Sequence, residues 1–131
     1  MTTQHRRFAL IACAIVGWAL CAAVIGIGMS LTTGENTLIV HAVAAPLIFG
    51  VLAAVYFRAF PDASVVGTAG AWLGIVMLLD LIVVAGLLLR SLAMFQSALG
   101  TWIPFALIFL SVLAVGEVRA SRSRHAVDSL A

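Results

Sequence analysis

Residues Ser64–Leu89 read SVVGTAGAWLGIVMLLDLIVVAGLLL, with Asp80 as the one charge in the run. A bilayer asks for about 20 apolar residues of helix. An apolar run of this length is a membrane span rather than a core element of a soluble fold. Working outward, similar runs cover about Phe8 to Leu31, Leu38 to Phe57 and Leu92 to Gly116. Short polar connectors separate them: Thr32 to Thr37, Arg58 to Ala63, and Arg90 with Ser91. Spans this close in sequence must run up, down, up and down. The expected fold is all-α: a polytopic membrane protein built as an antiparallel four-transmembrane-helix bundle. Residues 1–131 then form one membrane domain, with a short polar tail over residues 117–131.

Composition agrees with that reading. Hydrophobic residues make up 64% of the 131 residues and charged residues 9%, against about 45–50% and about 25% in soluble domains. So apolar a chain could not cover its own surface in water. No room remains for a soluble catalytic domain, a nucleotide-binding fold or a nucleic-acid module. The first span follows Arg6 and Arg7 as a secretion signal would, but a cleaved signal has an apolar core of about 7–15 residues. The run here is longer, and it is expected to stay as a helix. Cys13 and Cys21 lie within it, about 12 Å apart along a helix axis, too far to bridge each other.

All basic residues are Arg. Arg6, Arg7, Arg58, Arg119, Arg122 and Arg124 fall on one side of the expected topology, and Arg90 alone on the other. Cytoplasmic loops hold the excess of Lys and Arg. In a bacterial inner membrane, both termini are therefore expected in the cytoplasm.

Helices in lipid approach through small residues. Ala9, Cys13, Gly17 and Cys21 form one such stripe, with Ala22, Gly26 and Ser30 beside it. Ala42, Pro46, Gly50 and Ala54 form another, and Gly67, Gly70 and Gly74 a third. These stripes either close the bundle or meet a second copy, and a homo-oligomer, with a dimer favoured, is the expected assembly. Trp18, Trp72 and Trp102 are placed deep in their spans, where an indole N–H fills space opposite glycine or meets a polar partner by a cavity. Trp102, beside Thr101, is the first candidate for the cavity. Tyr56 and Phe57 beside Arg58 fit the aromatic belt of an interface.

Chemistry is expected on the arginine-poor side. Asp80 lies about 13 Å from the outer end of its span, where an ionised aspartate costs about 2.5–3.5 kcal/mol. So expensive a group faces the bundle interior and has a partner or a task. His41 opens the second span in the same leaflet, about 8 Å shallower by helical rise. Pro46 and Pro104 cannot donate to the carbonyls of Ala42 and Gly100, and helices broken in this way kink or line polar cavities. Glu35, Arg90, Ser97, Thr101 and Trp102 complete the candidate ligand- or ion-binding set on this side. A b-type haem held by paired axial histidines lacks its second ligand in one chain, and a closed zinc site lacks ligands; no cofactor is identified.

His41-Ala-Val-Ala-Ala-Pro46, Leu79-Asp80 and Gly100-Thr-Trp-Ile-Pro104-Phe-Ala-Leu-Ile-Phe109 loosely resemble a group of small four-span prokaryotic integral membrane proteins of uncharacterised function. The resemblance implies the four-span fold and supplies no activity. Small multidrug resistance transporters are similar in size and span count, but their essential glutamate is in the first span, which has no acid here. The expected function is a transporter or channel-like homo-oligomer with an outward-facing polar site around Asp80. The alternatives are a non-catalytic membrane subunit that binds a partner protein, and a quinone-linked or lipid-substrate enzyme subunit.

Overall fold

The computed structural model describes residues 2–131. Four helical rods are long and apolar enough to cross a membrane: Thr3–Leu31, Gly34–Ala59, Val65–Leu88 and Ala98–Asp128. The first two are α1 (Thr3–Leu31) and α2 (Gly34–Ala59). The third is α3 (Val65–Leu79), continued over Asp80–Leu88 with the wider turns of a π-helix. A single 3₁₀ turn at Ala93–Gln96 and a short π segment at Ala98–Trp102 lead into α4 (Ile103–Asp128). The protein is all-helical and membrane-embedded.

Several boundaries differ from those expected. α2 begins at Gly34 rather than near Leu38, because the Thr33 side chain caps it by accepting from the backbone N–H of Asn36. Thr and Asn residues that read as a connector thus satisfy an orphan donor of the first turn. Glu35 sits in that turn, where a negative charge complements the helix dipole. The α3–α4 connection is longer than Arg90 and Ser91. Arg90 takes φ 48°, a left-handed conformation costly for a side chain with a Cβ, and it turns the chain out of the helix. At the other end α4 stays helical to Asp128, so most of the polar tail over residues 117–131 continues the last helix.

Around the bundle α1 packs on α2, α2 on α4, α4 on α3, and α3 on α1. In an up-down bundle, the α1/α3 and α2/α4 neighbours are therefore parallel. Each parallel pair is held by two hydrogen bonds in a constant register. Trp72 Nε1 donates to the Leu10 carbonyl at 2.9 Å and Trp18 Nε1 to Asp80 Oδ1 at 2.8 Å, both across 62 residues. Ser111 Oγ donates to the Pro46 carbonyl at 2.6 Å and Arg119 Nη1 to the Ala54 carbonyl at 2.9 Å, both across 65 residues.

Small residues sit where the helices come closest. A Cβ on Gly17 would meet the Phe49 ring at 2.5 Å, and one on Gly50 would meet Ser111 Oγ at 2.9 Å. Gly116 has the same relation to Val65. The glycines of α3 behave otherwise: Gly70 and Gly74 are exposed, with open space beyond them. The half of the core towards the α2–α3 connection is filled by aromatic rings. Trp72 stands edge-on to Phe49 and Tyr56, and Tyr56 also meets Phe57 and Phe60. Tyr56 and Phe57 are thus core residues, 2% and 5% exposed, rather than members of an outward belt.

Candidate functional site

The opposite half of the bundle holds a cavity of about 70 Å³. Trp18 and Cys21 of α1 form one wall, and His41 of α2 another. Val76, Asp80 and Val84 line it from the third rod, and Pro104, Phe105 and Ile108 from α4, with Met94 and Gly100 at the connection. Most of this surface is hydrocarbon, so its few polar groups decide what it can hold.

Asp80 stands at the junction where α3 widens into π turns. Such turns are rare and concentrate at functional sites. Its Oδ1 accepts from the Trp18 indole. No positively charged side chain lines the cavity, so that indole is the carboxyl's polar partner among the described residues. His41 is 7% exposed, and its Nδ1 is buried with no hydrogen-bond partner. An orphaned ring nitrogen in a low-dielectric interior costs free energy.

Asp80 and His41 thus line one cavity despite the depth difference expected between them. Two structural facts close that gap. The early start of α2 at Gly34 sinks His41 about 10 Å below the helix end. The π turns, which hold more residues per turn, shorten the axial distance from Asp80 to the end of its rod.

Of the remaining candidate residues, only Pro104 lines the cavity, and the others lie elsewhere. Thr101 is buried, and its hydroxyl donates to the Met94 carbonyl at 2.7 Å. Trp102 is 50% exposed and donates to the Phe95 carbonyl at 2.7 Å. Ser97 Oγ accepts from the Gly100 N–H at 2.9 Å, capping the short π segment. These three residues tie the α3–α4 connection to the start of the last rod. Glu35 and Arg90 are exposed at helix ends. Pro104 lines the cavity at the beginning of α4. Pro46 is inside α2, and its own carbonyl, rather than that of Ala42, takes the Ser111 hydroxyl.

Trp18 is the residue that spacing did not single out for the site. Its sequence cue was present: an indole N–H deep in hydrocarbon needs an acceptor, and Asp80 is the one acid within the four apolar runs of the sequence. Trp102 is not deep, because its rod starts at Ala98. It sits in the first turns, where a tryptophan meets the interface.

No family model matches the chain. No curated protein and no solved structure matches it either.

Proposed function

We propose that this bundle is a small transporter or channel-like protein, acting as a homo-oligomer in a bacterial inner membrane with both termini cytoplasmic, and that Asp80 binds and releases the transported proton or small cation. The observation that carries this reading is that Asp80 and a buried His41, whose Nδ1 has no partner, line one cavity. Ionisable groups inside a span are costly, and they mark ion pathways and proton relays.

The chemistry follows from the surroundings. An ionised carboxylate in a mostly hydrocarbon cavity lacks solvation, and a bound proton or cation supplies the missing charge. The Trp18 N–H fixes the carboxyl through Oδ1 and leaves Oδ2 for the cargo. The neutral imidazole of His41 offers one donor and one acceptor. The cavity size supports cargo of a few heavy atoms at most. The π turns at Asp80–Leu88 and Ala98–Trp102 border the cavity, and in this reading their change of pitch gates it. The arginine distribution supports the orientation. The open Gly70 and Gly74 face of α3 supports association with another copy.

The test is flux into proteoliposomes carrying a pH-sensitive dye or a monovalent-cation indicator. Wild-type protein is expected to conduct, and Asp80→Asn to lower flux about tenfold or more while eluting as the same assembly. Equal flux in the variant, or no flux of either class in wild type, overturns the proposal.

The Trp18–Asp80 bond favours a second reading: a carboxyl locked as a structural fastener in a non-catalytic subunit that binds a partner protein. The two separate on whether the Asp80 carboxyl exchanges its proton with water.

A further inference from the structure

We infer that the cavity is a site for a compact cation that donates hydrogen bonds, an ammonium or methylammonium ion; this rests on reading Asp80 as the cation-binding group and adds the chemical class of the cargo. Size comes first. A cavity of about 150 Å³ takes benzene, and this one is about 70 Å³. It admits a ligand of about one or two heavy atoms beside a water.

Charge comes second. Asp80 is the one carboxyl in the lining, and no Arg lines it. An anion has no partner there. Donor chemistry then separates the cations. Calcium and magnesium ask for about six or more oxygens, and potassium filters for rings of backbone carbonyls. Here, among the described residues, the two oxygens of Asp80 are the only side-chain oxygens in the lining, too few for such a shell. Among the described residues, no three His, Cys, Asp or Glu side chains come together as a transition metal requires.

An ammonium-type ion needs acceptors rather than a coordination shell. Asp80 Oδ2 provides one. His41, buried and with a ring nitrogen lacking any partner, provides the second when its neutral ring presents a lone pair to the cavity. Trp18 and Phe105 add aromatic rings, whose faces attract cations. The apolar remainder of the wall suits the methyl group of methylammonium better than a hydrated alkali ion. The Trp18 N–H serves as a positioning group: it orients the carboxyl without itself accepting from the ligand.

The experiment is equilibrium binding of radiolabelled methylammonium to the full chain in lipid discs, with wild type beside Asp80→Asn and His41→Leu. Saturable binding is expected, displaced by ammonium chloride and untouched by equal sodium or potassium chloride. Asp80→Asn is expected to weaken it about tenfold or more, and His41→Leu about threefold to tenfold. A second readout needs no change at Asp80. In wild-type protein, the intrinsic tryptophan fluorescence, to which Trp18 in the cavity wall contributes, is expected to change saturably with methylammonium over the concentration range of the binding. Absence of saturable binding, displacement by sodium or potassium, or full affinity in Asp80→Asn overturns the inference. Proton flux that depends on Asp80 without methylammonium binding overturns it and leaves the transport reading intact. Binding that depends on Asp80 without flux does the reverse.

Discussion

Trp18 and Asp80 are joined across 62 residues by an indole N–H donated to a carboxylate oxygen, in the same register that joins Trp72 to the Leu10 carbonyl. The matching register means that α1 and α3 run side by side as parallel rods, pinned one above the other at two levels. The upper pin falls in the aromatic core, where Trp72 is fully buried. The lower pin falls at the cavity, where α3 loosens into π turns. The tryptophan that holds the fold together and the tryptophan that holds the carboxyl in place therefore belong to one device.

The lower pin has a measurable strength. Trp18→Phe keeps an aromatic ring and removes the donor to Asp80. Asp80→Asn keeps an acceptor oxygen and removes the charge. Interhelical hydrogen bonds in membrane proteins average about 0.6 kcal/mol and reach about 1.7 kcal/mol in double-mutant cycles. Unfolding in mixed micelles is expected to give a coupling in the upper part of that range for Trp18→Phe with Asp80→Leu. A coupling of zero would mean that the bond does not form in solution.

The second parallel pair offers a test with a built-in rescue. Ser111 Oγ lies where a Cβ on Gly50 would come within 2.9 Å, and the same hydroxyl donates to the Pro46 carbonyl. Gly50→Ala is expected to destabilise by about 1–3 kcal/mol through overpacking. Ser111→Ala removes the obstructing atom at the cost of its hydrogen bond. The double variant is expected to be more stable than the sum of the single losses, by about 0.5 kcal/mol or more. Strict additivity in thermal unfolding would place the α2–α4 contact elsewhere.

The glycines divide by what faces them. Gly17 stands against the Phe49 ring, while Gly74 has open space beyond it. Gly17→Val is expected to lower the unfolding midpoint, because the bulk must push a core ring aside. In monomeric protein in detergent, Gly74→Ala is expected to raise stability by about 0.5–1 kcal/mol, since alanine restricts the unfolded chain more than glycine does. Equal effects at the two positions would contradict the observed rotation of α1 and α3.

How much of this was legible depended on whether a feature was local. Apolar run length marked all four rods, because lipid sets both their composition and their length. Local caps were legible in principle: Thr33 and Asn36 mark the true start of α2, but hydropathy reads polar cap residues as a loop. The left-handed turn at Arg90 and the π turns before it carry no hydropathy pattern at all. Depth counted with α-helical rise therefore separated Asp80 from His41, although both line one cavity. The Trp18–Asp80 pairing depends on the rotation and register of helices 62 residues apart, which tertiary packing decides.

The Asp80 carboxyl itself discriminates between the two functional readings. Infrared difference spectra of wild type against Asp80→Asn in lipid isolate its band. If the group binds and releases cargo, the band is expected to change with pH. Adding methylammonium at fixed pH should then move it towards the ionised form, because a bound cation favours the charged carboxyl. Trp18→Phe should alter the band position without abolishing that response, since the indole orients the group and does not carry the cargo. A band that ignores pH, cation and the loss of the indole donor would identify a carboxyl sealed in a structural contact. The partner-binding subunit would then be the better reading, and the cavity would be a packing defect beside a fastener.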